Sequence, residues 1–262
     1  MNLNLNDKSV LVMASSDGIG KGIAQEFCAE GAKVMLFGRN EDRLVSAQAE
    51  IEDATGRRPE YTVGDLTNPE DIEVAVANTV NRFGSLYALI NNSGGPRPGG
   101  FDQFDDEAWQ EAFELTLLNY VRATRAAVEQ MRAAGGGRIV NIASSSVKVV
   151  IDNLLLSNVF RMGMVGLTKS LARDLGSEGI LVNLLGPGKI TTGRSAQIDE
   201  NKAAALKIPV EEWKKKSAEQ IPLGRYGSTE EFARMAVFLC SEANGYVTGQ
   251  SFLIDGGMVA AY

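Results

Sequence analysis

Residues 9–20 read SVLVMASSDGIG, and this stretch decides the fold. Its first part, Ser9–Met13, is mostly apolar and predicts a buried strand. Small residues follow, and Ile19, Ile23 and Phe27 then recur at helical spacing. A strand, a small-residue turn and a helix start in this order allow backbone N–H groups and the helix dipole to hold a pyrophosphate. The loop does not establish such a site by itself, because tight strand-to-helix turns need glycine for backbone reasons too.

The same alternation of short apolar runs and amphipathic segments continues along all 262 residues. It is typical of a parallel sheet with helices on both faces, so we expect an α/β fold with a doubly wound, seven-stranded parallel sheet of the Rossmann type, in a single domain spanning residues 1–262. The predicted strands are Ser9–Met13, Lys33–Leu36, Glu60–Val63, Leu86–Asn91, Gly137–Ile142, Ile180–Leu185 and Ser251–Ile254. Helices are predicted to begin near Gly20, Glu41, Pro69, Asp105, Leu154 and Thr229.

Residues 189–227, hereafter the lid segment, interrupt the alternation. They are polar and follow a strand end, which predicts a partly helical substrate lid. A plain surface insertion is the alternative.

Composition excludes several classes of function. The net charge is −7, which disfavours nucleic acid, and the chain has no histidine, which excludes a Ser-His-Asp hydrolase and a histidine metal site. We expect no metal: Cys28 and Cys240 are far apart in helical apolar patterns and are predicted to serve packing. Without a membrane-length apolar run or a signal-peptide pattern, we expect a cytoplasmic protein with no membrane partner.

Five further motifs occur in order at or near the later strands: Asp65-Leu66, Asn91 to Gly94, Asn141 to Ser144, Pro187 to Thr192, and Gly249 to Gly257 near the end of the chain. Together with the loop after the first strand, they resemble the short-chain dehydrogenase/reductase family, in its 3-oxoacyl-carrier-protein reductase-like branch. The resemblance covers nearly the whole chain and implies an oxidoreductase with a nicotinamide dinucleotide cofactor. It implies little about the substrate.

The resemblance also implies where that cofactor lies. The residues implied at the diphosphate, adenine, ribose and nicotinamide are Ala14, Ser15, Ser16, Gly18, Ile19, Gly20, Asp65, Leu66, Asn92, Ser93, Gly94, Pro187, Gly188, Ile190 and Thr192. Ala14 stands where the family usually has its first glycine.

The end of the second strand bears on the choice between NADP(H) and NAD(H). It reads Gly38-Arg39-Asn40, which lacks the carboxylate that grips a ribose 2′-hydroxyl and offers a cation for a 2′-phosphate. We therefore expect NADP(H) to be preferred over NAD(H), with Arg39 and Asn40 at that position. Against this, Asp17 stands where many NADP-preferring relatives carry a basic residue, and Arg39 is equally consistent with an ordinary solvated charge.

The catalytic pattern of the family is degraded. The resemblance places Ser157 at the tyrosine position, Arg161 at the lysine position and Thr116 at the asparagine position, and only Ser144 matches the expected serine. A serine hydroxyl is far less acidic than a phenol, and arginine keeps its proton, so Arg161 can bind ribose hydroxyls but cannot pass a proton along.

Bound water, Lys148 and Tyr120 remain as proton donors. Lys148 falls in the loop that lines the family's substrate pocket, although a solvated loop lysine explains it equally well. Tyr120 lies one helical turn after Thr116, where a core or interface tyrosine is the ordinary interpretation.

Positive charge collects after successive strand ends, at Arg97, Lys148, Lys189 and Arg194. This is the side on which open α/β sheets bind ligands, so the pattern favours an anionic small-molecule substrate, although part of the charge can serve the cofactor phosphates. The resemblance implies a homotetramer or homodimer through the helices around residues 112–127 and 159–171.

Three hypotheses stay open at this point. The first is an NADP(H)-linked oxidoreductase acting on a carbonyl or alcohol, with Ser144 polarising the oxygen and Arg161 holding the cofactor. The second is a nucleotide-binding protein of the same fold without turnover, acting as a sensor or assembly partner. The third is lyase or dehalogenase chemistry, which some relatives with arginine at the lysine position carry out. Those relatives keep the tyrosine, so Ser157 counts against it.

Overall fold

A seven-stranded parallel sheet forms the centre of the computed structural model, which describes residues 2–261. The strand order is β3-β2-β1-β4-β5-β6-β7. The strands are β1 Ser9–Val12, β2 Lys33–Gly38, β3 Glu60–Val63, β4 Ala88–Asn91, β5 Gly137–Ile142, β6 Ile180–Pro187 and β7 Ser251–Ile254. The predicted fold class is confirmed. The strand ends differ by up to two residues, with β2 and β6 longer and β4 shorter than expected.

Helices cover both faces of the sheet. Within residues 2–261 they are α1 Gly18–Ala29, α2 Glu41–Thr55, α3 Pro69–Phe83, α4 Asp106–Phe113, α5 Asn119–Ala133, α6 Leu155–Leu175, α7 Gly193–Leu206, α8 Val210–Ala218 and α9 Thr229–Cys240. Residues Glu114–Leu118 form a π-helical turn between α4 and α5. None of these helices combines the length and apolarity needed to span a bilayer.

Side chains of β1 alternate between two buried clusters because successive strand residues point to opposite faces. Val10 and Val12 pack on the side of α1, α2 and α9, whereas Leu11 and Met13 pack on the side of α3, α5 and α6. Both cysteines belong to the first cluster, where burial raises the pKa of each thiol to about 12. Their predicted packing role is confirmed.

A crevice opens where the strand order reverses, between the carboxyl ends of β1 and β4. A buried polar network fixes the elements beside it. The Asn91 amide donates to Asn141 Oδ1 (2.9 Å) and Thr124 Oγ1 (3.1 Å), and the Asn141 amide donates to Thr168 Oγ1 (2.9 Å). Satisfied buried networks of this kind specify one packing arrangement, here of β4 and β5 with α5 and α6.

The lid segment contains α7 and α8 and has a buried polar network of its own. Tyr226 Oη and Trp213 Nε1 both donate to Asp199 Oδ1, at 3.0 and 2.9 Å, and Ser217 Oγ lies 2.6 Å from Tyr226 Oη. The Lys189 ammonium donates to Ser217 Oγ. Burial lowers the pKa of Lys189, although the Asp199 charge opposes this. Lys189, expected among the ligand-facing cations, is therefore occupied in holding the lid segment together.

Candidate cofactor and catalytic site

The turn after β1 is held in a strained conformation. Ala14 has φ +47°, in the left-handed region that favours glycine. A Cβ on Gly20 would lie 2.3 Å from the Ala14 carbonyl oxygen, so only glycine fits there. The Asn92 amide donates to the same carbonyl at 3.1 Å, which joins the loop after β4 to the turn after β1. Small residues thus leave the backbone of α1's first turn accessible, as a diphosphate would require.

Two side chains of this turn already have partners. The Ser15 hydroxyl donates to the Val12 carbonyl (2.7 Å) and accepts the Phe37 N–H (3.0 Å), while the Ser15 N–H donates to the Phe37 carbonyl (2.9 Å). Ser15 therefore joins β1 to β2 and has no donor left for a phosphate. Asp17 caps α1, accepting the Gly18 N–H at 2.6 Å.

The end of β2 carries one exposed cation. The Arg39 side chain is 78% exposed and its Nη1 lies 3.6 Å from Asp65 Oδ2. Burial opposes ionisation of Asp65, but hydrogen bonds from Thr67 and the charge of Arg39 outweigh it and lower the pKa. Asn40 caps α2, accepting the Arg43 N–H at 2.9 Å. A 2′-phosphate at Arg39 would therefore compete with Asp65 for the guanidinium.

A cleft of about 810 Å³ connects these strand ends. Its wall includes Ala14, Ser16, Asp17, Arg39, Asp65, Leu66, Gly94 and Arg194, together with three glutamates, Glu107, Glu111 and Glu114. The cleft runs past the ends of β1, β2, β3 and β4, the path that the resemblance implies for a dinucleotide.

The loop after β6 closes the other end of the crevice. A Cβ on Gly188, which follows Pro187, would lie 2.5 Å from Asp255 Cβ, so only glycine fits there. Ile190 is buried in the first cluster, and Thr192 caps α7 with its side chain 3.6 Å from the position of a Gly18 Cβ. The start of the lid segment therefore lies directly against the turn after β1.

Arg161 forms the centre of a hydrogen-bonded cluster. Its Nη1 donates to Tyr120 Oη and to the Ile142 carbonyl, both at 3.0 Å, and its Nη2 donates to Ser93 Oγ at 3.4 Å and the Gly94 carbonyl at 3.2 Å. Tyr120 Oη donates to Ile142 at 2.8 Å and lies 3.2 Å from Ser93 Oγ. Arg161 is only 4% exposed. A buried guanidinium thus joins α6 and α5 to the cleft-lining loop after β4.

The remaining residues of the expected tetrad are separate from this cluster. Ser144 is half-buried after β5, where its hydroxyl accepts the Ser146 N–H at 3.1 Å. Ser157 is buried on α6, one turn before Arg161. Thr116 lies in the π-helical turn and its hydroxyl donates to the Ala112 carbonyl, so its proton is used within its own helix. Lys148 is exposed beyond Ser144.

Sequence reasoning missed the Ser93–Tyr120–Arg161 cluster. The packing role expected for Tyr120 agrees with its burial, but its contacts with Ser93 and Arg161 are not apparent from the sequence. One feature of the sequence could have indicated the cluster. Its three hydrogen-bonding residues lie in the loop after β4, on α5 and on α6, and the parallel strand order brings these elements to one end of the sheet.

Comparison with known proteins agrees with this geometry. Residues 13–259 match a family model described as enoyl-(acyl carrier protein) reductase. The 3-oxoacyl-[acyl-carrier-protein] reductase of Aquifex aeolicus is 34% identical over 260 residues, covering 98% of this chain and 100% of the relative. That of Chlamydia muridarum is 32% identical over 258 residues, with the same coverage.

Solved structures are similarly close. L-sorbose reductase from Gluconobacter frateurii, complexed with NADPH and L-sorbose, superposes with a TM-score of 0.95 at 31% identity over 100% of both chains. Actinorhodin polyketide ketoreductase with NADPH gives 0.91 at 32% identity, over 96% of this chain and 97% of that one. The chain therefore belongs to the short-chain dehydrogenase/reductase family of oxidoreductases, in its 3-oxoacyl-carrier-protein reductase-like branch.

Proposed function

We propose that this chain is an NADP(H)-dependent oxidoreductase that interconverts a carbonyl compound, such as a 3-oxoacyl or other anionic substrate, and its alcohol. The observation that carries the proposal is the buried Arg161 guanidinium, which contacts the cleft loop at Ser93 and Gly94. Arginine in this place can hold ribose hydroxyls as the family's lysine does. The NADPH complexes of similar structures support the choice of cofactor.

Different residues of the chain have different roles in the proposed reaction. NADPH, which Arg161 and the turn after β1 would hold, would supply a hydride to the carbonyl carbon when bound. Ser144, half-buried at the end of β5, donates a hydrogen bond to the carbonyl oxygen and polarises it. Arg161 fixes the cofactor ribose. Ser157 is too short and too weakly acidic to replace a tyrosine.

Tyr120 supplies the proton in this scheme. Its hydroxyl lies 3.2 Å from Ser93 Oγ, and Ser93 is only partly buried in the loop that lines the cleft. For this step the Tyr120 hydroxyl leaves the Ile142 carbonyl and the Ser93 hydroxyl leaves the Gly94 carbonyl, to which they donate in the structure. Ser93 then passes its proton to the substrate oxygen and takes one from Tyr120. The Arg161 guanidinium donates to Tyr120 Oη at 3.0 Å and holds it beside Ser93, and a proton from solvent replaces the one transferred.

The test is NADPH oxidation with a panel of keto-esters, diketones and sugars. We expect turnover of at least one of them, a fall in kcat of roughly 10²–10³-fold for Ser144→Ala, and one of roughly 10²–10⁴-fold for Tyr120→Phe. Tyr246→Phe, a fully exposed tyrosine, is the matched control and should leave kcat unchanged. Ser93→Ala should lower kcat by a factor similar to that of Tyr120→Phe.

Two outcomes would contradict the proposal. Loss of activity in Lys148→Met with none in Tyr120→Phe would assign the proton to Lys148. NADPH binding without turnover of any substrate, even after Ser157→Tyr is combined with Arg161→Lys, would replace the oxidoreductase by a nucleotide-binding protein without turnover. If Tyr120 is the donor, that double variant fills the pocket and lowers the native rate.

A further inference from the structure

The two ends of the lid segment meet beside the loop after β6. The Thr191 N–H donates to the Gly227 carbonyl at 2.9 Å, and the Gly227 N–H donates to the Lys189 carbonyl at 3.0 Å. Lys189 falls between Gly188 and Ile190, two residues that the proposed function places at the nicotinamide of the cofactor. Any contact that holds the Lys189 side chain therefore also holds this part of the site.

Four polar side chains form a hydrogen-bonded series across this base of the lid segment, hereafter the lid network. The Lys189 ammonium donates to Ser217 Oγ, which lies 2.6 Å from Tyr226 Oη. Tyr226 Oη in turn donates to Asp199 Oδ1 at 3.0 Å. Ser217 is fully buried and Asp199 is 5% exposed. These residues lie in the loop after β6, on α8, before α9 and on α7, so the network connects the parts of the lid segment to each other.

The hydrogen bonds of the lid network run in one direction. An ammonium can only donate, so Lys189 uses an acceptor site of Ser217, and an ionised carboxylate can only accept, so Asp199 takes the proton of Tyr226. The Ser217 hydroxyl is then left to donate to Tyr226. Aligned hydrogen bonds in a poorly hydrated environment polarise one another, which strengthens the series as a whole. A cation and a carboxylate on different elements are thus joined through two hydroxyl groups.

The two charges at the ends of the network stabilise each other. Burial lowers the pKa of Lys189, and the charge of Asp199 opposes this effect. Asp199 also accepts the Trp213 indole N–H at 2.9 Å. Because a buried charge without its partner is costly, removing either end of the network destabilises the other end.

We propose that the lid network positions the nicotinamide half of the cofactor by fastening the loop at Gly188 and Ile190 to α7 and α8. Lys189 is a positioning residue in this role, because its ammonium donates into the lid segment rather than towards a ligand. The proposed function places the adenine half on other elements, at the ends of β2 and β3. The inference rests on the proposed function for the identity of the ligand, and it predicts that the two halves of the cofactor respond differently when the network is broken.

Tyr226→Phe tests this role, because it removes the hydroxyl in the middle of the network and keeps the ring. Calorimetric titration compares NADPH with adenosine 2′,5′-bisphosphate, which has the adenine, its ribose and the 2′-phosphate but no nicotinamide. We expect Tyr226→Phe to bind NADPH roughly tenfold more weakly, the effect of about one buried hydrogen bond, and to bind adenosine 2′,5′-bisphosphate with unchanged affinity. Tyr246→Phe, the same change at a fully exposed tyrosine, is the control and should bind both ligands as the wild type does.

The outcomes separate this inference from the proposed function. Equal weakening of both ligands in Tyr226→Phe would mean general damage to the fold and would overturn the positioning role, as would unchanged NADPH binding. If the wild type turns over a carbonyl substrate, either result removes the inference and leaves the proposed function standing. A wild type that binds no NADPH would remove both.

Hydrogen exchange of the α7 and α8 amides, in protein without nucleotide, tests the network itself. Lys189→Met and Asp199→Asn are measured singly and together. Because the two charges act through one network, we expect the double variant to lose less protection than the sum of the single losses. Lys215→Met, which removes an exposed cation of α8, is the control, and its loss should add to that of Asp199→Asn. Additive losses for Lys189→Met and Asp199→Asn contradict the inference even where NADPH binds.

Discussion

Ala14 is held in a left-handed backbone conformation, φ +47°, at the position where the family usually has glycine. A residue with a Cβ is destabilised there by about 1–2 kcal/mol. Glycine would remove this strain, although it gains more entropy in the unfolded chain. We expect Ala14→Gly to raise the free energy of unfolding by about 0.5–1 kcal/mol, measured by urea denaturation.

The same substitution elsewhere provides the control. Ala49 is exposed in the interior of α2. Ala49→Gly should lower the free energy of unfolding by about 0.5–1 kcal/mol. A loss of stability in both variants would show that the backbone at Ala14 carries no strain that glycine relieves.

Arg39 is the residue on which cofactor choice depends. Its guanidinium is exposed and only loosely paired with Asp65 at 3.6 Å, so it is available to a 2′-phosphate. Arg39→Asp should weaken NADPH binding about tenfold or more, because a favourable pair becomes a repulsive one. NADH lacks the phosphate and is the internal control in the same calorimetric experiment. An equal loss for both nucleotides would contradict the preference for NADP(H).

At the scale of single elements, the start of α9 depends on an ionised Glu231. Its carboxylate accepts hydrogen bonds from Arg225 (2.6 Å) and from the Ser228 N–H (2.9 Å), and Ser228 Oγ accepts the Glu231 N–H in return. Arg225 first, and then the Ser228 N–H, lower the pKa of Glu231 from 4.5 to about 2.

This pKa sets a pH window for stability. A carboxyl group whose pKa is lower in the folded protein stabilises it above the unfolded pKa and loses that effect as the pH falls through the folded one. Wild type should therefore unfold at a higher urea concentration than Glu231→Gln. This difference in urea midpoint should be largest above about pH 5 and should shrink as the pH falls towards 2. Glu73→Gln, which removes an exposed carboxylate from α3, is the matched control. A difference independent of pH would refute the assignment.

The elements were predictable because their signals are local. Short apolar runs marked the strands, and Pro69 marked the start of α3 where the structure has it. The π-helical turn at Glu114–Leu118 was not predicted, since helical periodicity continues on both sides of it. Nor were the ends of β4 and β6, because strand ends depend on hydrogen bonds to neighbouring strands rather than on composition.

The contacts within the candidate site depend on packing, which motif order does not give. Motif order identified Ser144, Ser157 and Arg161, but only the packing of α5 against α6 brings the hydroxyls of Ser93 and Tyr120 to Arg161. The contact of Lys189 also differs from the one expected. Its place after β6 indicates that it faces a ligand, whereas its ammonium donates a hydrogen bond to Ser217 Oγ inside the lid segment.

At the scale of the whole molecule, α6 has an apolar stretch on its exposed surface. Met162 is 49% exposed there, and Val159 is exposed one turn before it. We expect light scattering at micromolar concentration to give a homodimer or homotetramer, with a smaller mass for Met162→Glu, because burying a carboxylate in an interface is costly.

The control for this prediction has the same exposure on another helix. Val74 on α3 is 48% exposed, and Val74→Glu should leave the mass unchanged. A monomeric wild type would contradict the expected assembly.

The network inside the lid segment has an optical consequence. The chain has two tryptophans, and Trp213 lies within this network, with its indole N–H on the Asp199 carboxylate and the Lys189 ammonium 6.0 Å from its ring. Charges so close to an indole shift the energy of its excited state. In Trp109→Phe, whose remaining indole is Trp213, adding NADPH should change the emission wavelength, and an unchanged spectrum would mean that the network keeps its arrangement on binding. Fluorescence can thus follow the lid segment in solution without an added label.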